Sequence, residues 1–151
     1  MFRVRGPPPD QAFTFELVDV HTRPDSAREE CNTLAQVYQV VRKAAGGEDD
    51  IIMLGDFNVD WQDPEDRPLI DHLAAAGLVD VAGALGDAAP TYPGDAHRYD
   101  RFYLRSGGGW TLVPEAVEVV QFSGGAATSS PRPFSDHLPV RARIRLVAAN
   151  D

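Results

Sequence analysis

The chain has little cysteine, no long apolar run and a shortage of basic residues. Cys31 is the only cysteine among 151 residues, which rules out an internal disulfide and a multi-cysteine zinc site. No apolar stretch approaches the roughly 20 residues that a bilayer-spanning helix needs. The segment from Met1 to Pro9 lacks the apolar core of a secretory signal. Lysine and arginine number 14 against 23 aspartate and glutamate, a net charge of -9. That balance argues against a generic nucleic-acid-binding surface, which is normally basic. It does not exclude a phosphate substrate, because divalent cations held by carboxylates reverse the local field of a site. Hydrophobic residues at 43% and charged residues at 25% are ordinary for a globular protein, and the length suits one domain.

What is present is a run of strands that end in polar residues. Ile51-Ile52-Met53-Leu54 leads straight into Gly55-Asp56-Phe57-Asn58. This predicts a buried strand that delivers a carboxylate and an amide to the C-terminal edge of a sheet, where α/β proteins usually place ligands. Upstream, Phe13 to Val20 is rich in β-branched and aromatic residues and reads as a strand ending at His21. Between the two strands Pro24-Asp25-Ser26 starts a helix, with Ser26 and Glu29 spaced as a capping box. Ala27, Leu34, Val37, Tyr38 and Val41 recur at helical spacing, and Gly46-Gly47 ends the helix. Cys31 falls within it and reads as a small core or boundary residue. Strand, helix and strand in this order predict a βαβ unit with parallel strands.

Downstream, a second helix is expected from about Asp66 to Ala76, with Pro68 in its first turn and Gly77 at its end. Short strands are expected at Arg101–Leu104, Thr111–Val113 and Val117–Phe122, with Gly107-Gly108-Gly109 turning between the first two. Ser123 to Pro133 reads as a Gly/Ser/Pro-rich loop. Val140, Ala142, Ile144 and Leu146 alternate with Arg141, Arg143 and Arg145. Two readings fit the arginines, a phosphate-contacting row and a solvated sheet face, and period-2 alternation alone explains the second.

Polar residues at strand edges carry the chemistry. His21, Asp56, Asn58, Asp100, Asp136 and His137 together suggest metal-assisted phosphoester hydrolysis. The order His21, capped helix, Gly55-Asp56-Phe57-Asn58, Tyr99-Asp100-Arg101, Ser135-Asp136-His137 resembles the endonuclease/exonuclease/phosphatase superfamily, and within it the deoxyribonuclease-I-like branch. Phe2-Arg3 and the prolines after them resemble that branch's lead-in to the strand before His21. The family fold is a four-layer α/β sandwich of two similar halves. The resemblance covers nearly the whole chain but only the C-terminal portion of that fold. It implies an α/β half with one mixed sheet and two helices on one face, residues 1–151 being a domain truncated at its N-terminus.

The resemblance also implies roles. Asp56 would orient the attacking water and share a metal with Asp136. Asn58 would hold the phosphate or that water. His137 would be the general base or a cationic donor, with Asp100 on its other ring nitrogen, and His21 would be a second catalytic histidine. An Asx turn is the plain alternative for Asp56 and Asn58. Arg101 and Tyr92 are expected substrate contacts; local pairing of Arg98 and Arg101 with Asp95 or Asp100, and simple packing of Tyr92, are their alternatives. Trp61 carries the same ambiguity as Tyr92, Trp110 is expected to pack, and His72 and His97 are expected to be structural or solvent-facing.

The implied cofactor is Mg²⁺, with Mn²⁺ or Ca²⁺ as alternatives, and the implied substrate is a phosphodiester, DNA first. Other branches of the superfamily act as phosphatases or cleave phospholipid and inositol phosphodiesters. The family's N-terminal portion brings an Asn and a Glu to the metal, and before His21 only Asp10, Glu16 and Asp19 are acidic. An inactive fragment or interaction module is therefore the competing reading. A lone half would also leave an apolar sheet face uncovered, which predicts self-association through that face.

Overall fold

The computed structural model describes residues 2–5, 12–60, 62–85, 89–92, 97–105, 110–120 and 135–148. Strands β1 (Phe2–Arg5), β2 (Ala12–His21), β3 (Ile51–Asp56), β4 (Val79–Asp80) and β5 (Asp100–Arg105) form a mixed sheet in the order β1-β2-β3-β5-β4. β2 and β3 are parallel, joined by helix α1 (Ala27–Ala44), as the βαβ pattern requires. The other pairs are antiparallel. β6 (Trp110–Val119) and β7 (Val140–Ala148) form a separate two-stranded ribbon.

α1 and α2 (Arg67–Ala75) lie on one face of the sheet, as expected. Cys31, Leu34 and Tyr38 of α1 and Leu73 of α2 pack against Val20, Ile51, Met53 and Tyr103. Burial pushes the Cys31 thiol up to about 12, so it behaves as a small core residue. Val37, expected on the buried face, is exposed, and Cys31 takes the inner position. Ser26 does not form the expected box with Glu29. A 3₁₀ turn over Pro24–Ser26 advances the chain, and Ser26 Oγ donates to Glu30 Oε1 at 2.6 Å instead. The Glu30 carboxylate also accepts the Arg23 amide and sits below the usual carboxylate range, the Ser26 hydrogen bond being the main cause.

The opposite face is not bare among the described residues. Val117, Ala142, Ile144 and Leu146 of the ribbon pack with Phe15, Ile52, Phe102 and Leu104 of the sheet and with Val81 of the short helix α3 (Val81–Leu85). The expected exposed face is thus partly covered by the chain's own C-terminal ribbon, while Leu17 stays 38% exposed. Two strands expected around Pro114 are one strand with an irregularity between Pro114 and Ala116, where proline cannot donate to the ladder. β6 pairs with β7 rather than with β5. The turn expected at Gly107–Gly109 and the loop Ser123–Pro133 lie outside the described residues. On the ribbon's outer face Arg141 pairs with Glu118, and Arg145 Nε lies 2.6 Å from Glu115 Oε1, so these arginines line a solvated face.

One backbone position locks the centre of the sheet. Gly55 has φ +134, and a Cβ there would stand 1.9 Å from the Val20 carbonyl oxygen. Only glycine lets β3 approach β2 this closely just before Asp56.

Candidate active site

The site is a single row across three strands. The parallel register places His21 beside Asp56, and the antiparallel register places Asp56 opposite Asp100. Alternation then fixes the face. Ile51, Met53 and Tyr103 point toward the helices, so Asp56 and Asp100, each odd in step from them, point toward the ribbon. His137 precedes β7, the strand that covers this face, and so arrives above the row.

The distances follow from that placement. His137 Nδ1 is 2.7 Å from Asp100 Oδ2. Its Nε2 is 3.7 Å from Asp56 Oδ2, and His21 Nε2 is 3.9 Å from the same oxygen. The Asp56 carboxylate therefore lies between two imidazoles. Its Oδ1 accepts the Asn58 amide at 2.9 Å, an Asx turn. Asn58 sits at φ 48, in the left-handed region that asparagine tolerates. Asn58 Nδ2 donates to the Thr22 carbonyl at 2.8 Å, and Thr22 Oγ1 donates to the Phe57 carbonyl at 2.6 Å. These bonds tie the exit of β2 to the loop after β3.

His137 is half-buried. Burial alone works to lower its pKa, but the hydrogen bond and charge of Asp100, with Asp56 and Asp136 behind, outweigh it, and the net shift is upward. The His21 side chain is 78% exposed and belongs to the rim. Asp136 is exposed and lines, with His21, Asp56, Asn58, Tyr92, Tyr99 and His137, a cavity of about 600 Å³. Tyr92 meets the His137 ring edge-on at 5.4 Å between centroids, so it borders the site.

Arg101 is a correction. It follows Asp100 in the chain, yet a strand sends successive side chains to opposite faces. Its guanidinium lies under the helices, fully buried, with Nη1 2.7 Å from Asp80 Oδ2. It therefore does not present a cation to substrate. Arg98 is buried too. His97, expected to be structural or solvent-facing, makes structural contacts with its side chain 44% exposed. Its Nδ1 lies 2.5 Å from Asp60 Oδ2, and its ring stacks on Tyr99 at 5.6 Å. Sequence reasoning missed this second His–Asp pair because its members are 37 residues apart with no shared motif. His72 is exposed on α2, and Trp61 lies outside the described residues.

Among the described residues, Asp56, Asp100 and His137 offer ligand atoms within 4.8 Å of one another. Asp100 is already committed to His137. The Asp56 carboxylate remains, in a cavity that Asp136 and Asn58 also line; Mg²⁺ commonly takes one or two protein carboxylates and completes its shell with water and phosphate.

No family model matches this chain, and no curated protein matches it in sequence. Its architecture is that of the endonuclease/exonuclease/phosphatase fold, fitting the C-terminal portion. Two solved structures carry that statement. D. rerio TDP2, complexed with a single-strand DNA product, is 19% identical with a TM-score of 0.56, over 90% of this chain and 57% of that one. An endonuclease/exonuclease/phosphatase family protein from Bacteroides thetaiotaomicron is 21% identical with a TM-score of 0.53, over 88% of this chain and 49% of that one. The chain spans about half the length of the solved structures it matches.

Proposed function

We propose that this chain hydrolyses phosphodiesters with a divalent cation, Mg²⁺ first, and acts on DNA as an endonuclease. One observation carries the reading: the His137–Asp100 pair at 2.7 Å, set over Asp56 at the edge of the sheet. With Nδ1 engaged by Asp100, Nε2 is the ring nitrogen that faces Asp56 and the cavity. It takes a proton from the attacking water or, as imidazolium, donates to a phosphoryl oxygen. Asp56 orients that water, Asn58 fixes the loop that presents it, and His21 contacts the phosphate from the rim. Tyr92 would stack on a base. Asp56 and Asp136 would hold the cation, which when bound neutralises charge on the phosphoryl oxygens.

The DNA product seen with D. rerio TDP2 supports the choice of substrate. A small or lipid phosphoester is the second reading, favoured by the net charge of -9. The test pairs a melt with a hydrolysis assay. Millimolar Mg²⁺ or Mn²⁺ raises Tm through preferential binding to the folded chain, and Asp136→Ala removes the gain. Hydrolysis of bis(p-nitrophenyl) phosphate depends on the same cation. A Tm indifferent to both metals, with no metal-dependent hydrolysis, would end this reading.

A further inference from the structure

Asp100 and His137 are 37 residues apart, and the contact between them does not explain how their segments come together. We propose that Thr91 is the positioning residue of this pair; its kinetic readout rests on the hydrolytic reading above. Thr91 is 0% exposed. Its Oγ1 accepts the amides of Tyr99 at 3.1 Å and Asp100 at 3.2 Å. Its own amide donates to the His97 carbonyl at 3.1 Å, and its carbonyl accepts the Leu138 amide at 2.8 Å. One buried residue thus grips the start of β5 and the residues leading into it at three points, and the segment before β7 at a fourth. Two of these grips fall on Asp100 itself and on the residue next to His137.

The network reaches the third member of the row. The Phe57 amide donates to the Tyr99 carbonyl at 3.0 Å, so the chain just after Asp56 hangs from the same segment. Residues 97–99 precede the regular ladder of β5, and the threonine hydroxyl stands in for a neighbouring strand there. Its chemistry is specific. A hydroxyl oxygen has two lone pairs and can serve two amides, whereas valine has the same shape and no acceptor. Losing the acceptor strands two partly buried donors, which the segment relieves by shifting toward water. A displacement on the order of 1 Å at a catalytic group costs about a hundredfold in rate.

The test compares wild type, Thr91→Val, Thr91→Ser and His137→Ala, all as the full chain. Three readouts are taken: amide exchange of Tyr99 and Asp100, the His137 Nδ1–H proton resonance in metal-free protein, and kcat and KM for bis(p-nitrophenyl) phosphate with Mg²⁺. The wild-type amides are protected and the resonance is present. Thr91→Val loses the resonance and lowers kcat by about 10- to 100-fold with KM changed by less than about twofold. Thr91→Ser keeps the resonance and recovers kcat to within about threefold of wild type. Retention of resonance and kcat by Thr91→Val overturns the proposal, as does failure of Thr91→Ser to recover. An unprotected Asp100 amide in wild type overturns it even where Thr91→Val does not fold. If wild type hydrolyses no faster than His137→Ala, the hydrolytic reading fails, and the resonance and exchange data still judge Thr91 alone.

Discussion

The two faces of the sheet treat charge differently at the same edge. On the helix side, Arg101 is sealed from water against Asp80. On the ribbon side, Asp100 is partly open, holds His137, and shares a cavity with Asp56, Asn58 and Asp136. The two residues are consecutive, so the difference comes from strand alternation and from what packs on each face, not from local sequence. A buried ion pair of the first kind is weak evidence of function, because its desolvation cost rivals its attraction. A half-buried imidazole with its pKa raised by a fixed carboxylate, in a cleft, is a better sign of chemistry.

That contrast breaks cleanly under substitution. His137→Ala is expected to lower hydrolysis by about 10²- to 10⁴-fold with little change in Tm, the range that general acid–base groups contribute. Arg101→Ala should do the reverse. It strands Asp80 under the helices and costs about 3–5 kcal/mol of stability in a urea titration, while kcat per folded molecule stays near wild type. A drop in kcat without a drop in stability would return Arg101 to the substrate side.

Asp100→Asn sharpens the comparison through pH. The folded pKa of His137 is raised over its ordinary value of about 6.5. The stability linked to that shift is fully present below the unfolded value and is lost as pH rises through the folded one. In metal-free protein, Asp100→Asn is expected to move the His137 titration by NMR to lower pH. The stability gap between wild type and variant should be widest in acid and close above the folded midpoint. An unmoved titration would mean that Asp100 does not govern the ring. The smallest effect is expected on the ribbon's outer face. Arg145→Ala removes an exposed pair with Glu115 and should change stability by less than about 1 kcal/mol, with activity unaltered.

Much of the row was legible in the sequence because it depends on strand ends. The apolar run Ile51–Leu54 and its Gly55-Asp56-Phe57-Asn58 terminus place Asp56 and Asn58, and the βαβ pattern sets His21 alongside. The meeting of Asp100 with His137 needed the family resemblance, since nothing local joins them. Arg101 misled because adjacency to Asp100 suggested a shared role, when the period of a strand separates the two. The ribbon's pairing, the His97–Asp60 contact and the grip of Thr91 were invisible for a common reason. Each is a tertiary contact between segments that share no local signal, and only packing determines it.

The most direct test is relaxation of supercoiled plasmid in Mg²⁺ or Mn²⁺ by wild type beside His137→Ala, with both shown folded. The account predicts nicking by wild type that metal chelation stops and that the variant lacks. Equal nicking by both proteins, or none by either with metal present, would contradict the claim that the row under His137 is a phosphodiester-cleaving site.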